Sequence, residues 1–289
     1  MIQNSELILN PDGSVYHLHL LPEMIAETIL LVGDPGRVSE ISAHFDHIEF
    51  RTQNREITTH TGTYKNLPVT VMSTGMGTDN IDIVLNEIDA LFNIDLETRQ
   101  EKKFKKSARL IRLGTSGALQ EDIAPGTLVM ASYGLGLDGL MNFYDAADVR
   151  EEALTKAFID SSDWPSELAR PYAVKAADSL RQLFQGQTVS GITVTAPGFY
   201  GPQNRVLRVP LAYADMTDRL SRFSWNGCRV ANFEMETSAL YGLGKKLGHE
   251  TLTICAVIAN RKTKTYLSDY KPHVRNLIEM TLDTLVKNQ

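Results

Sequence analysis

The feature that most constrains this chain is a repeated order: a short apolar run, a glycine loop, then apolar residues at helical spacing. Ile29-Leu30-Leu31-Val32 runs into Gly33-Asp34-Pro35, after which Val38, Ile41 and Phe45 recur at helical intervals. Pro68 to Ser73 leads into Gly75-Met76-Gly77. Ile81, Val84, Leu85, Ile88, Leu91 and Phe92 then mark one helical face. Leu110-Ile111-Arg112-Leu113 is followed by Gly114-Thr115-Ser116-Gly117. Apolar runs of this length read as buried strands, and their alternation with helices predicts an α/β sheet covered by helices.

The rest of the chain extends the pattern. Residues 55–64 and 68–73 are β-rich and flank Lys65-Asn66-Leu67, which predicts a hairpin. Further strands are expected at 128–132, 191–195 and 251–259. Helical periodicity is expected between Met141 and Gly186, best seen at Tyr172, Ala176, Leu180 and Phe184. A helix from Met235 to Leu247 should stop at Gly248, and the last should run from Val274 to Val286. No internal repeat, low-complexity linker or composition break divides the chain. Residues 1–289 are therefore expected to form a single α/β/α domain around a central mixed β-sheet.

Charge and cysteine content exclude several function classes. A formal net charge of −6 argues against a general nucleic-acid surface, which needs clustered excess Lys and Arg. The one basic run, Lys102-Lys103-Phe104-Lys105-Lys106, reads as a solvated surface insertion. No stretch approaches the about 18 apolar residues of a membrane helix. The start, Met1-Ile2-Gln3-Asn4-Ser5-Glu6, has no signal-peptide pattern. Two cysteines, Cys228 and Cys255, are too few for a disulfide framework, and Cys255 reads as a small buried hydrophobe. A cytoplasmic location is the expectation.

Chemistry concentrates in three places. In open α/β sheets ligands bind at the carboxyl ends of strands, where the three glycine loops fall. Their N–H groups, with Arg37, Arg112 and the Thr115 hydroxyl, can form an oxyanion cradle, although each loop alone also reads as a tight turn. Arg112 is harder to set aside. It ends a buried apolar strand with no acidic residue adjoining it, and a buried charge requires a partner, so it calls for an anion. The second place is Asn232-Phe233-Glu234-Met235-Glu236-Thr237-Ser238-Ala239. Its two carboxylates at a strand-to-helix junction suit vicinal hydroxyls such as a ribose pair, or complement a helix dipole. The third is Phe199-Tyr200-Gly201-Pro202-Gln203-Asn204-Arg205, where Phe199 offers a stacking face and Gln203 with Arg205 can read a planar base edge. Gly134 to Gly139 spells G-x-G-x-x-G, but no good helix opening follows it. No strand ending in an acidic residue arrives about twenty positions later, so a dinucleotide site is not expected.

Taken together, these clusters resemble the nucleoside phosphorylase family, specifically its uridine phosphorylase branch. The resemblance runs in order from Tyr16-His17-Leu18 to Asn260-Arg261. It is carried by Gly33-Asp34-Pro35-Gly36-Arg37, Arg55-Glu56, Ser73-Thr74-Gly75-Met76-Gly77, residues 112–117, residues 199–205 and residues 234–239. It implies that Gly33, Arg37, Arg112 and Thr115 hold phosphate, joined by Arg55 from a neighbouring subunit. Glu236, with Met235 beside it, would grip the ribose, and His17 from the neighbour would reach its 5′-hydroxyl. Phe199, Gln203 and Arg205 would read the pyrimidine. Ala259-Asn260-Arg261 follows the strand at 251–258, whereas hexameric purine enzymes carry an aspartate there to protonate N7. Asp79-Asn80 departs from the small and hydroxyl residues usual after the Gly-x-Gly loop in bacterial members. Relatives that bind a monovalent cation at the subunit interface use a hydroxyl near there. The insertion at residues 97–106 is a further departure.

The implied reaction is phosphorolysis of uridine to uracil and ribose 1-phosphate through an oxocarbenium-like ribose, with Arg112, Glu236 and Arg205 as the catalytic groups. Inorganic phosphate is a co-substrate, and no cofactor or metal is expected. The assembly implied is a homo-oligomer, a dimer or a trimer of dimers, with shared active sites. The alternatives are a purine nucleoside phosphorylase, a nucleosidase, or a non-catalytic nucleoside-binding protein. Arg37, Arg55 and Arg112 together weigh against a nucleosidase, which needs no phosphate arginines.

Overall fold

The apolar run at residues 29–32 is strand β1 (Thr28–Val32), buried along its whole length in the computed structural model, which describes residues 1–288. Asp34 then caps helix α1 (Pro35–Ser42), its side chain accepting from the Gly36 N–H at 2.8 Å, with Pro35 preset for the first helical position. The expected hairpin is β3 (Ile57–Tyr64) and β4 (Leu67–Ser73). Its two turn residues, Lys65 and Asn66, both adopt the left-handed conformation (φ 48° and 67°) that two-residue hairpins favour. An additional strand, β2 (His47–Asn54), pairs antiparallel with β3 at the sheet edge. Its alternation is between exposed and half-buried positions, so it carries little apolar signal. Arg55 is not part of a strand; it sits with φ 53° in the turn between β2 and β3.

Helix α2 (Thr78–Asn93) presents the predicted apolar face and buries it. The insertion at residues 97–106 folds as a small hairpin of β5 (Ile94–Asp95) and β6 (Gln100–Glu101). Its basic run is not merely solvated. Lys102 Nζ donates to the carbonyls of Phe92 (3.0 Å) and Leu91 (3.3 Å), satisfying the last turn of α2.

Strand β7 (Arg109–Ala118) corrects one expectation. Gly114-Thr115-Ser116-Gly117 is not a loop but the second half of this strand, paired residue by residue with β13 (Glu250–Asn260). Pairing with β13 carries the chain through both glycines, and β12 adds pairing on the other side only at Gly117 and Ala118. Strand β8 (Leu128–Gly136) contains Gly134 and Gly136, and Gly139 precedes only a 3₁₀ turn (Leu140–Phe143), so the G-x-G-x-x-G spelling opens no α-helix and makes no phosphate loop. The segment 141–186 also departs from expectation. Helix α3 (Glu152–Ser162) and helix α4 (Asp178–Leu183) flank strand β9 (Tyr172–Lys175). Tyr172 and Ala176 therefore do not share a helix with Leu180. The interval of four is coincidental, because residues 172–174 are buried by pairing antiparallel with β8.

The chain continues through β10 (Val189–Thr195), α5 (Met216–Arg222), β11 (Ser224–Trp225), β12 (Cys228–Glu234), α6 (Thr237–Leu247), β14 (Thr265–Tyr266) and α7 (Lys271–Lys287). Twelve strands form one mixed sheet, in the order β11-β12-β10-β8-β13-β7-β1-β4-β3-β2 along its main path. Strand β12 also pairs with β7, joining Phe233 to Gly117 and Asn232 to Ala118. Strands β7, β13, β8, β10 and β12 thus close on one another as a five-stranded barrel. This closure positions the site, because it brings the carboxyl end of β12 against the carboxyl half of β7. Helices α2, α6 and α7 bury their apolar faces in the main core, and α3 and α5 cover a second cluster around Phe158, Phe223 and Phe233. Among the described residues no helix is long and apolar enough to cross a membrane.

Candidate active site

Arg112 lies at the centre of the region where β7 and β12 meet. The expectation that no acidic residue adjoins it holds along the sequence but not in space. Its Nη2 donates to Glu236 Oε2, and its Nη1 lies 3.3 Å from Glu234 Oε2, with all three side chains buried. The carboxylates arrive from 122 and 124 residues further along, which only the barrel closure brings near. Although burial opposes it, the attraction of Glu236 and Glu234 raises the Arg112 guanidinium above its ordinary value. Gly114 makes room for this arrangement: a Cβ there would stand 2.1 Å from Arg112 Nη1 and 2.9 Å from Cys255 Sγ. Cys255, expected to be a small buried hydrophobe, is buried, and its thiol lies 3.9 Å from Arg112 Nη1.

The glycine loops converge on the same place. A Cβ on Gly33 would come within 3.3 Å of the Gly75 carbonyl, so the loops after β1 and β4 touch. The Gly77 N–H donates to Glu236 Oε1 at 2.8 Å. Glu234 accepts from the N–H groups of Glu236 (2.9 Å) and Thr237 (3.0 Å), closing the start of α6, and from Thr195 Oγ1 at 2.9 Å. Burial pushes the Glu236 carboxyl up to about 7, Arg112 pulls it down, and the charge of Glu234 raises it.

Arg37, from α1, is buried and donates from Nη1 to the Leu113 carbonyl at 3.2 Å. It makes no ion pair among the described residues. Burial and the neighbouring Arg112 charge both lower its pKa, as expected of a second cation held at one point. Two buried guanidiniums beside each other, one without a carboxylate, make a place for an anion. Thr115, three residues beyond Arg112, is half-buried and pairs with Ala256. The structure therefore gathers Gly33, Arg37, Arg112 and Glu236 where the loops after β1 and β4 meet β7, with half-buried Met235 between the two glutamates, while Thr115, further along β7, makes no hydrogen bond to any of them.

Phe199, Gln203 and Arg205 form one unit. A single 3₁₀ turn (Gly201–Gln203) folds the segment back, and the Arg205 N–H closes it on the Tyr200 carbonyl at 2.8 Å. Arg205 Nη1 donates to the Phe199 carbonyl (2.6 Å) and to Gln203 Oε1 (2.7 Å), and the guanidinium lies 3.7 Å above the Phe199 ring. Burial and the charge of Arg261 hold Arg205 down at about 10. Arg261, at the end of β13, was not singled out as a site residue. It donates to the Asn204 carbonyl at 3.1 Å and lies over the Phe233 ring. Its signal is present in the sequence: a charge at the close of a long apolar run.

Arg55 and His17 stand apart from Arg37, Arg112 and Glu236 but together with each other. Arg55 lies over the Tyr16 ring at 5.7 Å, Tyr16 meets the His17 ring edge-on at 4.8 Å, and Asn54 donates to the His17 carbonyl at 2.9 Å. Glu87 accepts from the His17 and Leu18 N–H groups and lies 2.6 Å from His17 Nδ1. In the Asp79-Asn80 departure, the Asn80 amide donates to the Thr74 carbonyl (2.9 Å) and to Glu56 (3.3 Å).

The model of the phosphorylase superfamily matches residues 27–285, and the chain belongs to that family. It is 31% identical over 258 residues to a uridine phosphorylase of Thermococcus kodakarensis, covering 88% of this chain and 80% of that one. It is 27% identical over 278 residues to a DeoD-type purine nucleoside phosphorylase of Colwellia psychrerythraea (93% and 98% covered). The solved structure of a Trypanosoma brucei nucleoside phosphorylase that shows uridine phosphorylase activity superposes with a TM-score of 0.86 at 32% identity, over 97% of this chain and 99% of that one. The resemblance read from the motifs is thus borne out at the level of the family.

Proposed function

We propose that this chain is a uridine phosphorylase, a pentosyltransferase that reversibly converts uridine and inorganic phosphate to uracil and ribose 1-phosphate in pyrimidine salvage. The observation that carries the reading is the Gln203–Arg205 contact on the Phe199 ring. An amide and a guanidinium held in one unit offer donors and an acceptor matched to the O2, N3–H and O4 edge of uracil. The naming of the T. kodakarensis relative and the activity of the T. brucei protein support it.

Phosphate sits between Arg37 and Arg112, with Thr115 and the Gly33 loop completing the cradle. Its negative charge lies below C1′ and stabilises the oxocarbenium-like ribose as the glycosidic bond opens. Glu236 orients the ribose hydroxyls beside Met235. Uracil leaves with charge on its oxygens, stabilised by Arg205 and oriented by Gln203. Placement and electrostatics suffice, so the proposal calls for no covalent nucleophile, metal or organic cofactor. Arg55 and His17 serve a neighbouring subunit in a homo-oligomer, a dimer or a trimer of dimers, working in the cytoplasm.

The test is a substrate panel run with and without phosphate. Uridine turnover that requires phosphate and yields ribose 1-phosphate is expected, with inosine a poor substrate. Release of uracil at a comparable rate without phosphate would overturn the reading in favour of a nucleosidase.

A further inference from the structure

Behind the base-reading turn lies a second cavity, of about 450 Å³, that contains none of the residues assigned above. It is walled by Trp164 from the segment after α3, by Leu211 and Tyr213 from the segment leading into α5, and by Met216 at the start of α5. Gly201, Pro202 and Asn204 form its third wall, so the turn that carries Gln203 and Arg205 on one side backs onto this cavity on the other. Its volume is that of a small-molecule site, with mostly apolar and aromatic walls and a few polar groups.

The carboxylic acids among them are Asp138 and Glu167. Asp138 sits in the wall with both oxygens engaged, by the Leu140 N–H at 2.8 Å, by Ser238 Oγ at 2.8 Å and by the Tyr172 hydroxyl at 2.9 and 3.1 Å, and burial pushes its carboxyl up. Glu167 stands exposed at the rim, touched by the Tyr213 hydroxyl at 3.4 Å. Neither forms an ion pair among the described residues, and no Lys, Arg or His lines the cavity. The Trp164 indole is fixed, its Nε1 bonded to the Ala169 carbonyl at 3.1 Å and its ring packed on Phe158. Two aromatic faces beside a carboxylate that no cation balances are complementary to a protonated amine on an apolar or aromatic body.

The geometry points to this cavity as a binding site for a small aromatic organic cation, separate from the nucleoside site and sharing one wall with its base-reading turn. Glu167 faces the cation, and Trp164 and Tyr213 face the ring. An occupant would brace the turn from behind. It would therefore act on nucleoside affinity without competing for the nucleoside site.

The experiment is calorimetric titration of the full chain with tryptamine and with its uncharged counterpart tryptophol, each with and without saturating uridine. Tryptamine is expected to bind at one site per chain, about tenfold more tightly than tryptophol, and to persist under uridine. Glu167→Gln, at an exposed position, should remove several-fold of that preference. Leu211→Trp should fill the cavity and abolish binding while uridine turnover continues. Absence of binding at millimolar probe, equal binding of the two probes, or displacement of tryptamine by uridine would each overturn the proposal. Binding of the two probes without uridine, and its loss in Leu211→Trp, need no catalysis, so those readouts stand or fall independently of the uridine phosphorylase reading.

Discussion

Arg112 Nη2 donates to Glu236 Oε2 across the junction of β7 and β12, joining the residue proposed to hold phosphate to the residue proposed to hold ribose. Phosphate at Arg112 and the Glu236 carboxylate are both anionic and share one guanidinium. Removing the charge of Glu236 should therefore weaken the ribose grip but not the phosphate grip. Glu236→Gln is expected to lower kcat/KM for uridine by about 10²-fold or more while phosphate binds as tightly as before or more tightly. Steady-state kinetics with phosphate titration separate the two effects. A parallel loss of phosphate affinity would show that Glu236 supports the anion site instead.

The same carboxyl sets a pH dependence. Burial, then the charge of Glu234 against the pull of Arg112, holds Glu236 at about 7, above its ordinary 4.5. The folded chain thus binds that proton more tightly than the unfolded chain does. The resulting stabilisation is complete below about 4.5 and is lost as pH rises through about 7. Glu236→Gln has no such titration. Urea melts should show wild-type stability falling relative to this variant between about pH 5 and pH 8, by up to about 3 kcal/mol. A gap that stays constant with pH would show that the Glu236 carboxyl keeps its ordinary pKa in the fold.

Gly114→Ala tests how closely Arg112 is held. The added methyl would stand 2.1 Å from Arg112 Nη1 and 2.9 Å from Cys255 Sγ, in a buried strand where neither neighbour has free space. The guanidinium is the more movable of the two, so it should be driven off the anion site. Phosphate KM is expected to rise at least tenfold, with a smaller change in the nucleoside KM. Measuring both constants in one variant distinguishes displacement from general unfolding, which would move them together.

Legibility in the sequence followed burial and distance along the chain. Strands β1, β4, β7 and β13 announced themselves because burial on both faces leaves continuous apolar runs. β2 did not, because one of its faces meets solvent and the other is half-covered. The site divided along similar lines. Phe199, Gln203 and Arg205 lie within seven residues, so their contact is local. Arg112 announced a need for an anion, yet its protein partners lie more than 120 residues away. Only the pairing of β12 with β7 brings them together, and periodicity along one strand cannot express a barrel closing on itself. The stop of α6 at Gly248 was readable because a left-handed C-cap (φ 83°) selects glycine.

The proposal rests base choice on the Arg205–Gln203 pair, which makes it separable from phosphate binding. Arg205→Leu is expected to cut kcat/KM for uridine by about 10²-fold and to leave phosphate affinity within about twofold. Gln203→Ala should narrow the preference for uridine over inosine, since the buried amide is what an unmatched base would leave unpaired. If Arg205→Leu retained full uridine turnover, the base would have to be held elsewhere, with Arg261 the next cation in reach.

Arg55 and His17 allow a test of shared sites that single variants cannot give. Within one chain they cluster around Tyr16 and make no contact with Arg112, which fits residues that serve a neighbour. Arg55→Ala and Arg112→Ala should each abolish most phosphate-dependent turnover if the chain works as the proposed homo-oligomer. If Arg55 acts across an interface, mixed dimers place both substitutions in one site and leave the other site intact. Random reassembly of equal amounts should then restore about a quarter of wild-type activity, because half the dimers are mixed and each carries one complete site of two. If Arg55 acts within its own chain, every site in the mixture carries one lesion and no activity returns. The assay is uracil release after the two variants are unfolded together and refolded, with each variant refolded alone as the baseline.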